Sequence, residues 1–92
     1  MTIRQKSTEN RELGQFLKQL RKGLKDIPTS RMGFIEDRSA KRFNNEEWIS
    51  EKTLGNYESG KNIPSLKGLV MLAAALEVDK GYLFEEVVKR IK

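Results

Sequence analysis

Neither cysteine nor histidine occurs among the 92 residues. The first absence excludes a disulfide scaffold and any thiolate metal site, and the second removes the commonest metal ligand and general base. Most catalytic mechanisms are left poorly supplied, so the chain is expected not to be an enzyme and to hold no metal or cofactor. The adjacent carboxylate pairs Glu46-Glu47 and Glu85-Glu86 do not change this, because neighbours in a helix do not face each other. Long apolar runs are also missing. The longest, Leu69 to Leu76, has eight residues, against the ~20 that a bilayer span requires. Met1 to Glu12 is polar and lacks an apolar stretch of signal-peptide length, which makes a cytoplasmic address the default. No segment alternates as a strand would, and no internal repeat or low-complexity tract is present.

What remains is enough for one core. Leu, Ile, Val and Phe make up 24 of 92 residues, above the roughly 20% below which chains stay disordered. The length suits a single domain over residues 1–92. The net charge of +5 is uneven: residues 1–46 carry 11 Lys/Arg against 6 Asp/Glu, and residues 47–92 carry 7 of each. A basic half suggests a polyanionic partner, although many soluble proteins are mildly basic.

Periodicity predicts five helices. The first runs from about Thr8 to Lys25 with Leu13, Phe16, Leu17, Leu20 and Leu24 on one face, and Gly23 and Pro28 end it. Thr29 or Ser30 caps a second, which turns Phe34 and Ile35 inward and runs toward Phe43, with Asn44 and Asn45 as a stop. Ser50 caps a short third helix to about Ser59, closed by Gly60. Ser65 caps a fourth, whose apolar face is Leu66, Leu69, Leu72, Ala73 and Leu76, broadened by Val70. Asp79 caps a fifth over about 80–91 that buries Leu83 and Phe84. Its Val87, Val88 and Ile91 continue an apolar surface beyond the core, for dimerisation or for folding back near Leu13 and Phe16. Trp48 and Tyr57 read as core aromatics.

The stretch from Ile49 to Leu76 has a particular grammar. Ser50 is followed by polar Glu51-Lys52-Thr53, inward Leu54, Gly55-Asn56, inward Tyr57, then Glu58-Ser59-Gly60. Downstream come Pro64-Ser65, Leu66, Leu69, Ala73 to Leu76, Val78-Asp79 and Leu83, and upstream Leu13-Gly14, Leu17 and Leu20-Arg21. Together they resemble the lambda-repressor-like, Xre-type helix-turn-helix family, from about Glu12 to Phe84. The resemblance implies an all-α, five-helix DNA-binding domain acting as a transcriptional regulator, with the Ser50 helix entering the major groove of double-stranded DNA as a homodimer on a pseudo-palindromic operator. It also implies that Arg21 and Glu58 pair between the first and third helices, and that Arg31 stands where the family has a phosphate-gripping Gln. One departure is evident: Phe34 to Ser50 is 16 positions, roughly nine more than the family's compact helix-turn-helix connection.

On that reading Glu51, Lys52, Thr53 and Asn56 form the base-contacting set. Lys52 suits guanine, Asn56 adenine, Glu51 a cytosine amine, and the Thr53 methyl a thymine methyl. Arg31, Ser50, Ser59 and Lys61 are expected on phosphates. Arg38, Lys41 and Arg42, in the lengthened second helix, are expected to run along the backbone as well, unless the extra stretch is a solvated loop pinned by Phe43 and Trp48. A second class of function shares the shape: a protein-interaction module, such as an antitoxin or antirepressor subunit, that binds no DNA itself. A protein partner for regulation is compatible with both.

Overall fold

The computed structural model describes residues 10–91, and in them the chain forms five α-helices and no strand. They are α1 (Arg11–Lys22), α2 (Arg31–Arg42), α3 (Glu51–Ser59), α4 (Leu66–Leu76) and α5 (Lys80–Arg90). Four of the starts are set by one local device. The side chains of Ser30, Ser50, Ser65 and Asp79 accept from the N–H groups of Gly33, Thr53, Gly68 and Tyr82 at 2.9–3.0 Å. Each satisfies one of the amides a helix start leaves without an internal acceptor. The expected beginning of the first helix at Thr8 lies outside the described residues, and its end comes at Lys22, three residues before Lys25. No helix among the described residues is long and apolar enough to cross a membrane.

Every helix sends at least one fully buried side chain to a single core: Leu13, Phe34, Leu54, Leu72, Leu83 and Val87 are its largest such members. Glycine brings α1 and α3 into backbone contact. A Cβ on Gly14 would run into the carbonyl of Glu58, and one on Gly60 would meet the carbonyl of Asn10. Gly60 also has φ +84° as the α3 C-cap, a conformation that side chains disfavour.

Several expected core positions point elsewhere. Phe84 is 46% exposed, Leu66 71% and Val70 52%, so α4 and α5 bury narrower stripes than their apolar content suggested. Val87, expected on an outer surface, is 1% exposed and belongs to the core. Helical spacing accounts for the difference. Leu83 and Val87 are four apart and turn inward together, while Phe84 and Val88 share the next face outward.

The long connection between α2 and α3 is tied down at several points. Asn44 and Asn45 take left-handed conformations, φ 55° and 64°, which Asn tolerates better than most residues. The Ser39 hydroxyl donates to the Glu46 carbonyl at 2.7 Å, and the Asn45 N–H donates to the Ser39 carbonyl at 2.8 Å. Trp48 stacks on Phe43 with ring centroids 4.8 Å apart, meets Phe34 edge to face and donates Nε1–H to the Ile35 carbonyl at 3.1 Å. It is a core residue, as expected.

Candidate nucleic-acid interface

Two buried side chains define the inner side of α3, Leu54 and Glu58. Helical spacing therefore puts Lys52 and Asn56, four residues apart, at the centre of the opposite face with Ser59, and Thr53 at its flank, whereas Glu51, expected in the base-contacting set, falls in the first turn on the side of Leu54 and Glu58. Glu51, Lys52 and Ser59 are exposed, while Thr53 and Asn56 are half-buried. Not all of them offer the same chemistry. The Ser50 hydroxyl donates to Thr53 Oγ1 at 2.9 Å while accepting from its N–H, so Thr53 has its hydroxyl engaged at the cap. The Ser59 hydroxyl donates to the Asn56 carbonyl at 3.2 Å. Lys61 is exposed just past Gly60, its N–H bonded back to the Asn56 carbonyl at 3.0 Å.

Glu58 fixes how α3 is presented. Its Oε2 accepts from Arg21 Nε at 2.6 Å, and its Oε1 accepts from Arg21 Nη2 at 3.0 Å and Arg31 Nε at 3.1 Å. Arg21 also donates Nη1–H to the Thr29 carbonyl. One carboxylate thus joins α1, α2 and α3 through a bidentate, charge-assisted fork. No buried side-chain polar atom among the described residues lacks a partner. Arg31, expected on a phosphate, has its Nε engaged by Glu58 and its guanidinium beside Gly55, and its side chain is 37% exposed.

Of Arg38, Lys41 and Arg42, expected on phosphates, Arg38 is withdrawn from the surface, while Lys41 and Arg42 are exposed and paired with carboxylates. Arg38 is 2% exposed and donates to Asp37 Oδ2 at 2.7 and 3.1 Å, to Glu77 Oε2 at 2.8 Å and to the Ala75 carbonyl at 3.4 Å. Arg42 reaches the same Glu77 oxygen at 2.9 Å, and Lys41 lies 3.4 Å from Asp37. These contacts tie the end of α2 to the end of α4. Bonds from Arg42 and Arg38 hold the Glu77 carboxyl below the usual carboxylate range, and Arg38 does the same for Asp37. The i, i+4 spacing of Asp37 and Lys41 was readable in the sequence; the role of Glu77 had no local signal.

The end of the insertion nearest α3 is acidic instead. Glu36, Glu47 and Glu51 edge an open cleft of about 470 Å³ floored by Met32, Ile35 and Ile49, and none of the three forms an ion pair among the described residues. At the far end of the molecule, Val88 is 50% exposed and Ile91 38%, whereas Val87 is withdrawn from any such surface. The Arg90 guanidinium, bonded to Glu86 at 2.7 Å, covers the Phe16 ring at 4.0 Å. No group of side chains among the described residues could hold a metal ion. Comparisons with protein-family models, with curated proteins and with solved structures found no match.

Proposed function

We propose that the chain is a sequence-specific DNA-binding regulator of transcription with the lambda-repressor-like arrangement, and that α3 enters the major groove. A single observation carries the reading. Glu58, clamped by Arg21 and Arg31, holds α3 against α1 and α2 while Lys52 and Asn56 lie at the centre of its outer side. A short helix held rigidly at its inner face and polar at its outer one is what groove entry needs.

Lys52 then reads guanine and Asn56 adenine, with the Thr53 methyl at the flank and Glu51 reaching in only from the helix start. Lys61, Ser59, the capped amides after Ser50 and the free end of Arg31 contact phosphates. Arg38 takes no part because it is buried, and Lys41 and Arg42, although exposed, are engaged by Asp37 and Glu77. The experiment is binding to random duplex over a range of salt, followed by selection from a random DNA pool. A steep log–log salt slope and an enriched motif support the reading. A flat slope removes it.

The cleft edged by Glu36, Glu47 and Glu51 favours a second reading, a protein-interaction module without DNA binding. Unpaired carboxylates beside the start of α3 repel phosphates within a Debye length, about 10 Å at 0.1 M salt. The same salt titration separates the two, since only phosphate contacts release counterions.

A further inference from the structure

One flank of the outer side of α3 has no side chain of its own. Thr53 forms one edge beside Lys52 and Asn56; the other edge is Gly55, because Glu51 falls on the side of Leu54 and Glu58. The guanidinium of Arg31, from the start of α2, fills that place. A Cβ built on Gly55 would lie 3.6 Å from its Nη1 and 3.7 Å from its Cζ, ordinary van der Waals contact. The group is fixed there before any partner arrives. Its Nε donates to Glu58 Oε1 at 3.1 Å, and the buried Glu58 is itself forked by Arg21. Nη1 and Nη2 have no hydrogen-bond partner among the described residues, and the side chain is 37% exposed.

Given that α3 enters the major groove, the reading on which this rests, we infer that Arg31 reads a guanine base rather than gripping a phosphate as Lys61 and Ser59 do. Guanine sets O6 and N7 side by side on its major-groove edge, and a planar guanidinium meets both with two N–H bonds. Adenine puts an amino donor beside its N7, thymine shows a single acceptor and cytosine a donor, so the fork fits guanine alone. A phosphate is satisfied by any cation within reach and needs no buttress. A fork whose plane is set by a buried carboxylate gains most from an acceptor pair of fixed geometry. Being ordered already, Arg31 also loses little rotamer freedom when it binds. The bare Gly55 gives it room, and α2 thereby adds a specificity-determining residue to the face that α3 presents.

Competition between duplexes changed one base pair at a time, starting from the sequence selected out of a random pool, tests this on the parent chain, Arg31→Lys and Arg31→Gln. The parent should prefer guanine about tenfold or more at a position distinct from those set by Lys52 and Asn56, as a bidentate contact does. Both variants should lose that preference and keep the other two. A deazaguanine there, which pairs normally but lacks the N7 acceptor, should weaken the parent and leave Arg31→Gln unaffected. The salt slope should not change, since no phosphate contact is removed. Partial unfolding cannot imitate this pattern, because it weakens binding to every sequence alike. Uniform weakening with a salt slope smaller by about one unit makes Arg31 a phosphate contact and overturns the inference. Unchanged binding leaves Arg31 as a clamp on Glu58 and overturns it too. A parent chain that binds no duplex removes the DNA-reading function itself, and the role of Arg31 with it.

Discussion

Arg21 Nε stands 2.6 Å from Glu58 Oε2, and the two side chains are 3% and 1% exposed. A pair this buried contributes little net stability when whole, because desolvation offsets its attraction, but it is costly to break. Arg21→Ala or Glu58→Ala should each destabilise by about 3–5 kcal/mol in urea unfolding. The exchange Arg21→Glu with Glu58→Arg should recover part of that loss. Recovery of none of it, alongside single losses below about 1 kcal/mol, is the behaviour of a surface pair and contradicts this account.

Lys52→Ala and Asn56→Ala should leave stability within about 0.5 kcal/mol, since neither supports the core. Each should relax base preference at one operator position by about 1–3 kcal/mol, read by competition between mutated duplexes. Equal weakening on every sequence would make them phosphate contacts.

For the Lys41→Gln, Arg42→Gln double variant the salt slope of DNA binding should not change. Both cations, although exposed, are paired with Asp37 and Glu77, and a residue that touches no phosphate releases no counterion. A fall of about one unit per residue would return them to the DNA. Arg38→Gln should lower stability without touching the salt slope, because it removes the buried cation that joins Asp37, Glu77 and the Ala75 carbonyl.

The Asp37 and Glu77 carboxyls have folded-state values below their unfolded ones. Their contribution is therefore present above the ordinary carboxylate range, about pH 4, and is lost as pH falls through the depressed folded values. Glu77→Gln should flatten the decline of unfolding stability between about pH 5 and 2 relative to the parent chain, measured by denaturant titration at each pH. An unchanged decline would mean the bonds from Arg38 and Arg42 do not survive in solution.

The sequence by itself determined where α2 to α5 begin, because a cap is a bond between residues three apart and needs nothing from the rest of the chain. Ser30, Ser50, Ser65 and Asp79 were legible for that reason, as was Gly60 at the end of α3. Inward Leu54 and the core position of Trp48 followed from spacing and pattern; Tyr57, read as inward too, is half-buried, and the place of Glu58 came only from the family resemblance. Which side of an apolar helix goes inside did not. α4 is apolar nearly all round, so only its packing in the fold decided that Leu69 and Leu72 are covered while Leu66 and Val70 are not. The same packing turned Val87 in and left Phe84 out. Arg38 and Glu77, 39 positions apart, meet because α2 and α4 end side by side. Charges of that separation carry no spacing rule, so only the fold showed that Arg38, read as part of a phosphate track, is buried as a tether between two helices.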